Sequence, residues 1–387
     1  MKGSLKKRGQ FWYLTVDMGK QEIGIDENGK PIYKRLQKKI NTQCEKKPDA
    51  ELFQVAILKQ LSDNMYIDPK NILFTDFLID WLEGYVKVNC ESTTYECYRL
   101  QLEKHIIPYF KERKILLQKL QPIDIQKYYT FKMVESSKKL SGNTIIKHHG
   151  NIRKALDYAL KMQLVNRNVA QAVELPKKQK FKASYYGQKE ISKLIKVVKG
   201  TPIESATIIT VMLGLRRGEI LGLKWDNVNL KDKTLLISET RTKFTTLVSK
   251  STKNESSNRT MPIPDELLLY LKQLKKKYNE QKLLCGNSFN NEGYVCCWDD
   301  GRPLTPDCLS HKFKELLQKN NLPLIRFHDL RHSNASFLLK KGVSMKEIQE
   351  WLGHKQLSTT ADIYTHVDME LKKQSAKKMN GLVKLSM

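Results

Sequence analysis

The chain has 387 residues, including 68 lysine or arginine and 41 aspartate or glutamate residues, and its formal net charge at pH 7 is +27. A positive charge of this size, spread along a chain long enough for two or three domains, indicates a polyanionic partner, nucleic acid before an anionic membrane surface. The chain has no long apolar run, signal core or regular cysteine spacing, so we expect no membrane-spanning helix, secretory leader or disulfide framework.

Residues 1–68 have the pattern of a small sheet backed by one helix. Strand-like alternation runs through QFWYLTVDMG and KPIYKRLQKKIN, with a turn at ENGK between them. A helical pattern follows at residues 48–64, with Pro48 placed for its first turn. The alternative is a solvated basic extension. Candidate DNA contacts in this segment are Lys6, Lys7, Arg8, Lys34 and Arg35.

Residues 69–175 have helical periodicity almost throughout and predict a compact bundle of short helices. The first of these helices, LFTDFLIDWLEGYV, carries large apolar residues on one face. They are Phe74, Phe77, Leu78, Trp81, Leu82 and Tyr85. Aromatic residues at this spacing predict core packing in preference to platforms for stacked bases.

Three further helices are predicted in the same segment. TTYECYRLQLEKHI is expected to stop at Pro108, because proline interrupts the hydrogen bonds of a helix. PIDIQKYYTFKMV is the next, followed by SGNTIIKHHGNIRKALDYALKMQLV. The apolar face of the last helix is predicted to hold Ile145, Ile152, Leu156, Ala159 and Leu160.

The helical pattern ends at LPKKQKFK, so residues 176–182 are interpreted as a basic interdomain linker that runs along a polyanion. Candidate DNA contacts here are Lys177, Lys178 and Lys180. Residues 183–387 mix helices with one β-rich patch, in which TLLISETRTKF and SSNRTMPIP form strands joined by a basic turn. The predicted fold is therefore multidomain α+β and mostly helical, with a β-hairpin in a mixed α/β last domain.

The stretch FHDLRHSNASFLLKKG places His328, Arg331 and His332 at helical positions i, i+3 and i+4, on one face. Two histidines four residues apart also occur in zinc-binding helices, but there a glutamate follows the first histidine, whereas Asp329 follows here. An arginine beside a cation site is unfavourable, while its planar fork suits phosphate oxygens. The pattern therefore favours a phosphate site and predicts no metal.

A second arginine pair lies in VMLGLRRGEILGLKW. Glu219 follows Arg216 by three residues and is predicted to hold its guanidinium. The alternative is that Arg216 and Arg217 are two surface residues of an amphipathic helix.

Two further motifs follow. In SMKEIQEWLGHKQ, Ser344 and Glu347 form a predicted capping box, and Gly353 ends the helix beside His354. In LSTTADIYTHV, Tyr364 comes ten residues after that histidine, on a short polar segment.

The strings LGLRRGEI, HDLRH, LGH and the late tyrosine, in this order and at these spacings, resemble the tyrosine recombinase (phage integrase) family. The resemblance is firmest over residues 183–370. It implies that residues 183–387 are a catalytic domain with a C-terminal tail. Residues 69–175 resemble the family's core-binding domain. Residues 1–68 look like the arm-binding domain of integrases from phages and conjugative transposons.

The resemblance implies catalytic roles. Arg216 and Arg331 would clamp the oxygens of one scissile phosphate. Tyr364 would be the nucleophile, leaving a 3′-phosphotyrosine and a free 5′-hydroxyl. Because the pKa of a free phenol is about 10, its proton needs an acceptor, for which the resemblance implies His328. His332 is interpreted as a structural partner within the helix.

Two further roles follow from the same resemblance. His354 would donate a hydrogen bond to a phosphate oxygen. The family protonates the leaving 5′-oxygen with a lysine on a β-hairpin, and TKNESSNRTMPIP, which contains Arg259, is similar to that hairpin. Lys253 is the predicted acid, and Lys250 is the alternative.

The implied function is a site-specific DNA integrase that works as a homotetramer on double-stranded core-type and arm-type sites in the cytoplasm of a bacterial host. No cofactor is expected, and an excisionase and a host DNA-bending protein are plausible partners. The alternatives are a type IB topoisomerase and a non-catalytic DNA-binding regulator. A DDE-type transposase is disfavoured because the sequence shows no acidic cluster for two metals.

Overall fold

The computed structural model describes residues 3–25, 31–62, 66, 71–179, 184–242, 248–251 and 258–353. The chain forms two compact units, Met1–Lys180 and Phe181–Met387, and the division lies inside the predicted linker. Within the described ranges, no helix is both long enough and apolar enough to cross a bilayer.

The first unit begins with a three-stranded antiparallel sheet in the order β1-β2-β3. Its strands are β1 (Gly3–Arg8), β2 (Phe11–Ile25) and β3 (Pro31–Asn41), and helix α1 (Lys47–Ser62) follows. A small core joins sheet and helix, formed by Leu14, Val16, Ile40, Ile57 and Leu61. The predicted sheet backed by one helix is confirmed, because the alternating apolar residues need a partner surface to leave water.

The candidate DNA contacts of this sheet are all exposed: Lys6, Lys7, Arg8, Lys34 and Arg35. Arg35 also forms an ion pair with Asp17, with 2.5 Å between its Nη2 and Oδ2 of the carboxylate. Both side chains reach solvent, so this pair contributes little to stability.

A helical bundle completes the first unit. Its helices are α2 (Phe74–Asp80), α3 (Lys87–Asn89), α4 (Ser92–Gln101), α5 (Ile107–Lys111), α6 (Pro122–Thr130) and α7 (Gly142–Lys161). Three π-helical turns extend or join them, at Trp81–Val86, Leu102–Ile106 and Phe131–Glu135. Short 3-10 turns occupy Leu117–Lys119 and Val169–Ala172. Most aromatic residues of the bundle are buried, as predicted, among them Phe74, Trp81, Phe110, Tyr128 and Tyr129.

Two predictions for this bundle are wrong. The second helix does not stop at Pro108 but continues through it to Lys111. The turn before the proline is π-helical, with the Ile107 N–H donating to the Leu102 carbonyl, and this wider turn accommodates the ring. Tyr85 and Leu160, expected on apolar faces, are 40% and 38% exposed because they lie at the edges of those faces.

The second unit contains seven helices within the described residues. They are α8 (Gln188–Val198), α9 (Glu204–Leu213), α10 (Arg217–Gly222), α11 (Asp265–Cys285), α12 (Pro306–Lys319), α13 (Asp329–Lys340) and α14 (Met345–Leu352). One large apolar core includes Leu194, Ile209, Leu213, Ile220, Leu271, Phe313 and Leu330. A smaller cluster packs α14 against α13, formed by Ala335, Leu339, Ile348 and Leu352.

The strands of the second unit form two small sheets. One has the order β4-β5-β8, formed by β4 (Val228–Asn229), β5 (Thr234–Ile237) and β8 (Arg259–Pro262). The other is an antiparallel hairpin of β6 (Glu239–Thr242) and β7 (Val248–Ser251). The two predicted strand segments do pair, through β5 and β8, but the segment interpreted as a basic turn contains strand β7, which forms a separate hairpin with β6.

Helix α10 lies directly on the backbone of the hairpin. A Cβ atom added to Gly222 would lie 2.6 Å from the carbonyl oxygen of Glu239, and one added to Gly218 would lie 3.2 Å from that of Arg241. Only glycine allows this approach without displacement. The position of the helix that begins with Arg217 is therefore tied to strand β6 of the hairpin.

Candidate active site

Arg331 lies in the first turn of α13 and is 1% exposed. Its Nη1 donates to the carbonyl of Gly214 at 2.7 Å, and its Nη2 donates to that of Leu352 at 2.5 Å. These are carbonyls at the C-terminal ends of α9 and α14, which carry partial negative charge. Burial and the nearby charge of Arg216 lower the pKa of Arg331 to about 9, so the guanidinium remains charged at pH 7.

The chain turns sharply at both of these helix ends. Gly214 and Gly353 have φ of +67° and +66°, the left-handed conformation that glycine adopts most easily. A Cβ on Gly214 would lie 2.5 Å from Cδ2 of Leu352. Asn334, which sequence analysis missed, holds the end of α9 by donating to the carbonyls of Val211 and Met212 at 2.9 and 3.1 Å.

Arg216 precedes α10 and is fixed at two points. Its Nη1 donates to Oε1 of Glu219 at 2.6 Å, and its backbone N–H donates to Oε2 at 2.9 Å. Its Nη2 donates to the carbonyl of Gly353 at 2.6 Å. The predicted Arg216–Glu219 contact is confirmed. The alternative of two free surface arginines is wrong, since Arg217 also binds inward, to the Ser310 hydroxyl at 2.7 Å.

Glu219 holds a second guanidinium, that of Arg259 at the start of β8. Arg259 donates through Nη1 to Oε1 at 3.2 Å and through Nη2 to Oε2 at 3.0 Å. Burial alone would raise the pKa of Glu219, but the hydrogen bonds and charge of Arg259, with the charge of Arg216, lower it to about 2. The carboxylate is therefore ionised. Sequence analysis gave Arg259 no partner, and the short strand that holds it, RTMP, contains no clear signal of its burial.

His328 and His332 form an edge-to-face pair, with ring centroids 5.5 Å apart. His328 lies one residue before α13 but has helical φ and ψ of −65° and −24°, so the predicted shared face is retained. His328 is partly open to solvent. Loss of hydration to the surrounding protein nevertheless lowers the pKa of its imidazole, and the nearby charges of His332 and Arg331 lower it further. Its imidazole is therefore neutral at pH 7 and able to accept a proton.

Helix α14 leads from this cluster to the next predicted residues. The capping box of Ser344 and Glu347 and the end of the helix at Gly353 are confirmed. His354 and Tyr364 lie outside the described residues.

The remaining lysines predicted to act at a site belong to the hairpin region (Lys250 and Lys253) and to the basic linker (Lys177, Lys178 and Lys180). Lys253 and Lys180 lie outside the described residues, while the backbone of Lys250 pairs with Thr240 in the hairpin. Lys177 and Lys178 are exposed. Across the ranges that the structure describes, no group of three or more His, Cys, Asp or Glu residues is arranged to hold a metal ion.

The cluster combines three guanidiniums, of Arg216, Arg259 and Arg331, with one buried carboxylate, and so carries net positive charge. The Arg216 side chain is 37% exposed, which leaves part of its fork open to solvent. Such an arrangement of fixed donors is suited to an oxyanion, phosphate in particular.

Comparisons with known proteins identify the family of the chain. The phage integrase family matches residues 185–370, and the N-terminal SAM-like domain of phage integrases matches residues 73–133. A tyrosine recombinase XerC-like protein of Caldanaerobacter subterraneus subsp. tengcongensis is 27% identical and covers 98% of both chains. The ICEBs1 integrase of Bacillus subtilis is 28% identical over 77% of this chain and 80% of its own.

Solved structures share the fold. The Tn1549 transposon integrase, in complex with transposon right-end DNA, has a TM-score of 0.65 at 16% identity, over 81% of this chain and all of that one. A lambda integrase tetramer bound to a Holliday junction has a TM-score of 0.58 at 14% identity, covering 93% and 94% of the two chains. Two domains of phage integrases together match more than half of the chain, and one relative aligns with nearly all of it. The chain therefore belongs to the phage integrase family of tyrosine recombinases.

Proposed function

We propose that this protein is a site-specific integrase that cleaves and rejoins DNA through a 3′-phosphotyrosine intermediate, and so integrates and excises a mobile element. One observation carries this proposal. Arg331 and Arg216 donate to the carbonyls of two consecutive residues, Leu352 and Gly353. Since consecutive Cα atoms lie about 3.8 Å apart, the two guanidiniums are neighbours, and His354 follows at once in the chain.

In the proposed mechanism, Arg216 and Arg331 bind the non-bridging oxygens of the scissile phosphate. Charge builds on these oxygens as the phosphorus becomes pentacoordinate, and fixed cations stabilise that charge without reorganising. His354 would donate a further hydrogen bond to the same group. The described pair is already held by the protein backbone, so little side-chain entropy is lost when DNA binds.

Tyr364 is the proposed nucleophile and His328 the proposed acceptor of its proton. The phenolic oxygen attacks phosphorus, the bond to the 5′-oxygen breaks, and a 3′-phosphotyrosine ester remains. The ester retains the energy of the original phosphodiester, so a 5′-hydroxyl of the partner duplex can attack it and rejoin the strand. The position of His328 supports its role, because it lies three residues before Arg331 on the same helical face and remains open to solvent.

The leaving 5′-oxygen needs a proton, and Lys253 is the proposed donor. Replacing Lys253 by alanine should slow cleavage by about 10²–10⁴-fold, the range for loss of a general acid. A substrate in which sulfur replaces the 5′-oxygen has a leaving group that needs no proton, so it should restore the rate of this variant. Single-turnover cleavage of both substrates measures the effect.

Lys250→Ala is the matched control for this experiment, because Lys250 lies three residues before Lys253 in the sequence and on strand β7. On each of the two substrates, the rate of Lys250→Ala relative to wild type should be similar. Rescue of Lys250→Ala by sulfur, without rescue of Lys253→Ala, would transfer the role of the acid to Lys250.

The proposed partners are core-type DNA for residues 69–387 and arm-type DNA for residues 1–68, within a homotetramer. Exposed cations on the N-terminal sheet support the second contact, with Lys177 and Lys178 as further candidates. The neighbour solved as a tetramer on a Holliday junction supports the assembly. An excisionase and a host DNA-bending protein are proposed accessory partners. A topoisomerase would need no second DNA site, so the N-terminal sheet favours a recombinase.

A nicked suicide substrate tests the reaction itself. Cleavage beside the nick releases a short fragment, so the 5′-hydroxyl diffuses away and the covalent protein–DNA adduct accumulates. The wild-type protein should form this adduct in EDTA and without ATP. Failure to form it on a substrate that it binds would favour the non-catalytic regulator.

A further inference from the structure

Arg259 occupies a position shared by several segments of the active site. Its side chain is 12% exposed, and its two terminal nitrogens grip both oxygens of Glu219. It also packs on the backbone of Gly353, since a Cβ added there would lie 3.0 Å from its Nη1 and 3.2 Å from its Cζ. No catalytic step above uses this residue.

These contacts join three segments. Glu219 is the residue that fixes the Arg216 guanidinium, so the first contact reaches the phosphate clamp. Gly353 accepts from Arg216 and precedes His354, so the second contact reaches the end of α14. Arg259 itself begins β8, the first strand after the segment that holds Lys250 and Lys253. One side chain therefore connects the clamp, the α14 end and the chain that returns from the hairpin.

Arg259 also changes the net charge of the group formed with Glu219 and Arg216. Glu219 is ionised and buried, and Arg216 alone beside it would form a neutral pair with a weak field at the phosphate. The Arg259 guanidinium brings the charge of the three-residue group to +1, so part of the positive field of Arg216 is available to the incoming phosphate.

We propose that Arg259 is a positioning residue, which offsets the charge of Glu219 and keeps Arg216 directed at the scissile phosphate. This inference rests on the proposed function. Arg259 acts through Glu219 and does not contact the reacting atoms.

The experiment compares Arg259→Met, Arg259→Lys and the double variant Arg259→Met/Glu219→Gln in single-turnover cleavage of the nicked substrate. Arg259→Met should cleave about 10- to 100-fold more slowly than wild type, the scale of a small misplacement at an active site. DNA affinity should stay within about twofold, because Arg259 is buried. The double variant should recover part of the loss, since the carboxylate charge that needs compensation is gone. Arg259→Lys, which keeps a charge without the fork, should be intermediate.

A second substrate separates charge from packing. A methylphosphonate at the scissile position replaces one charged oxygen by a methyl group, so less positive field is needed. The defect of Arg259→Met should shrink at least about threefold on this substrate. Arg241→Met is the matched control, because Arg241 is also buried in this unit but lies over the Tyr294 ring, 4.7 Å from its centroid. Its defect should be equal on the two substrates.

The proposal is overturned if a folded Arg259→Met cleaves at the wild-type rate, or if its defect is the same on both substrates and is not reduced by Glu219→Gln. Thermal unfolding establishes that each variant is folded, and Arg259→Lys provides the comparison should Arg259→Met be unstable. A wild-type protein that forms no adduct would instead contradict the proposed function, so the two failures are distinct.

Discussion

Replacement of Tyr364 by phenylalanine should abolish the covalent protein–DNA adduct while DNA affinity remains unchanged. The substitution removes one oxygen and little contact area, so folding and binding should persist, but the proposed nucleophile is lost. Adduct on the nicked substrate, measured by denaturing gel, should fall below detection. Mass spectrometry of the wild-type adduct should find the phosphodiester on the peptide that contains ADIYTHV.

Other tyrosines of the second unit are poor substitutes. Tyr294 is 4% exposed, and burial raises the pKa of Tyr270 and Tyr278 above the ordinary value. The phenols of Tyr270 and Tyr278 are therefore difficult to ionise, and both rings pack against the apolar core. Adduct on any of these residues would contradict the site assignment, and an active Tyr364→Phe variant would contradict the mechanism.

Replacement of Arg331 by methionine should have the next largest effect, on both cleavage and stability. Cleavage should fall by about 10²–10³-fold or more, as for the loss of one fixed donor to a developing oxyanion. The carbonyls of Gly214 and Leu352 would also lose their donor inside the protein, at about 1–3 kcal/mol for each unsatisfied group. Single-turnover cleavage and thermal unfolding should therefore decline together, with Tm lower by about 5 °C or more.

Two variants calibrate this result. Arg331→Lys keeps the charge but cannot span two carbonyls and a phosphate, so its activity should lie between those of wild type and Arg331→Met. Arg217→Met removes the arginine that follows Arg216. Its Nη1 donates to the Ser310 hydroxyl and takes no part in the proposed phosphate clamp. It should lose stability and little of the cleavage rate. A cleavage defect in Arg217→Met as large as in Arg331→Met would argue that both act only on folding.

The parts of the site that could be predicted from sequence are those formed by neighbours along the chain. Glu219 lies three residues after Arg216, and Glu347 three after Ser344, so helix geometry alone brings each pair together. The alternating pattern of the N-terminal strands likewise predicts one buried face and therefore the helix that covers it.

The remainder depends on contacts between distant segments, which periodicity does not encode. Arg331 binds a carbonyl 117 residues away in the sequence, and Arg259 reaches Glu219 across 40 residues. Any residue type could supply such a carbonyl, so the sequence contains no signal for it. Pro108 shows a local failure of a different kind, because a π-helical turn offers a route through proline that the usual helix rules omit.

The attachment of Arg331 to two helix ends affects how genes of this kind degenerate. A copy that no longer cuts DNA still has to fold to persist as a binding protein, and losing Arg331 would leave two interior carbonyls without a donor. Arg216 is less buried, with 37% of its side chain exposed. We therefore expect relatives that have lost cleavage to retain Arg331 more often than Arg216. An intact HDLRH string is then expected to indicate a stable domain, whereas the proposed nucleophile, Tyr364, is the residue expected to distinguish an active enzyme.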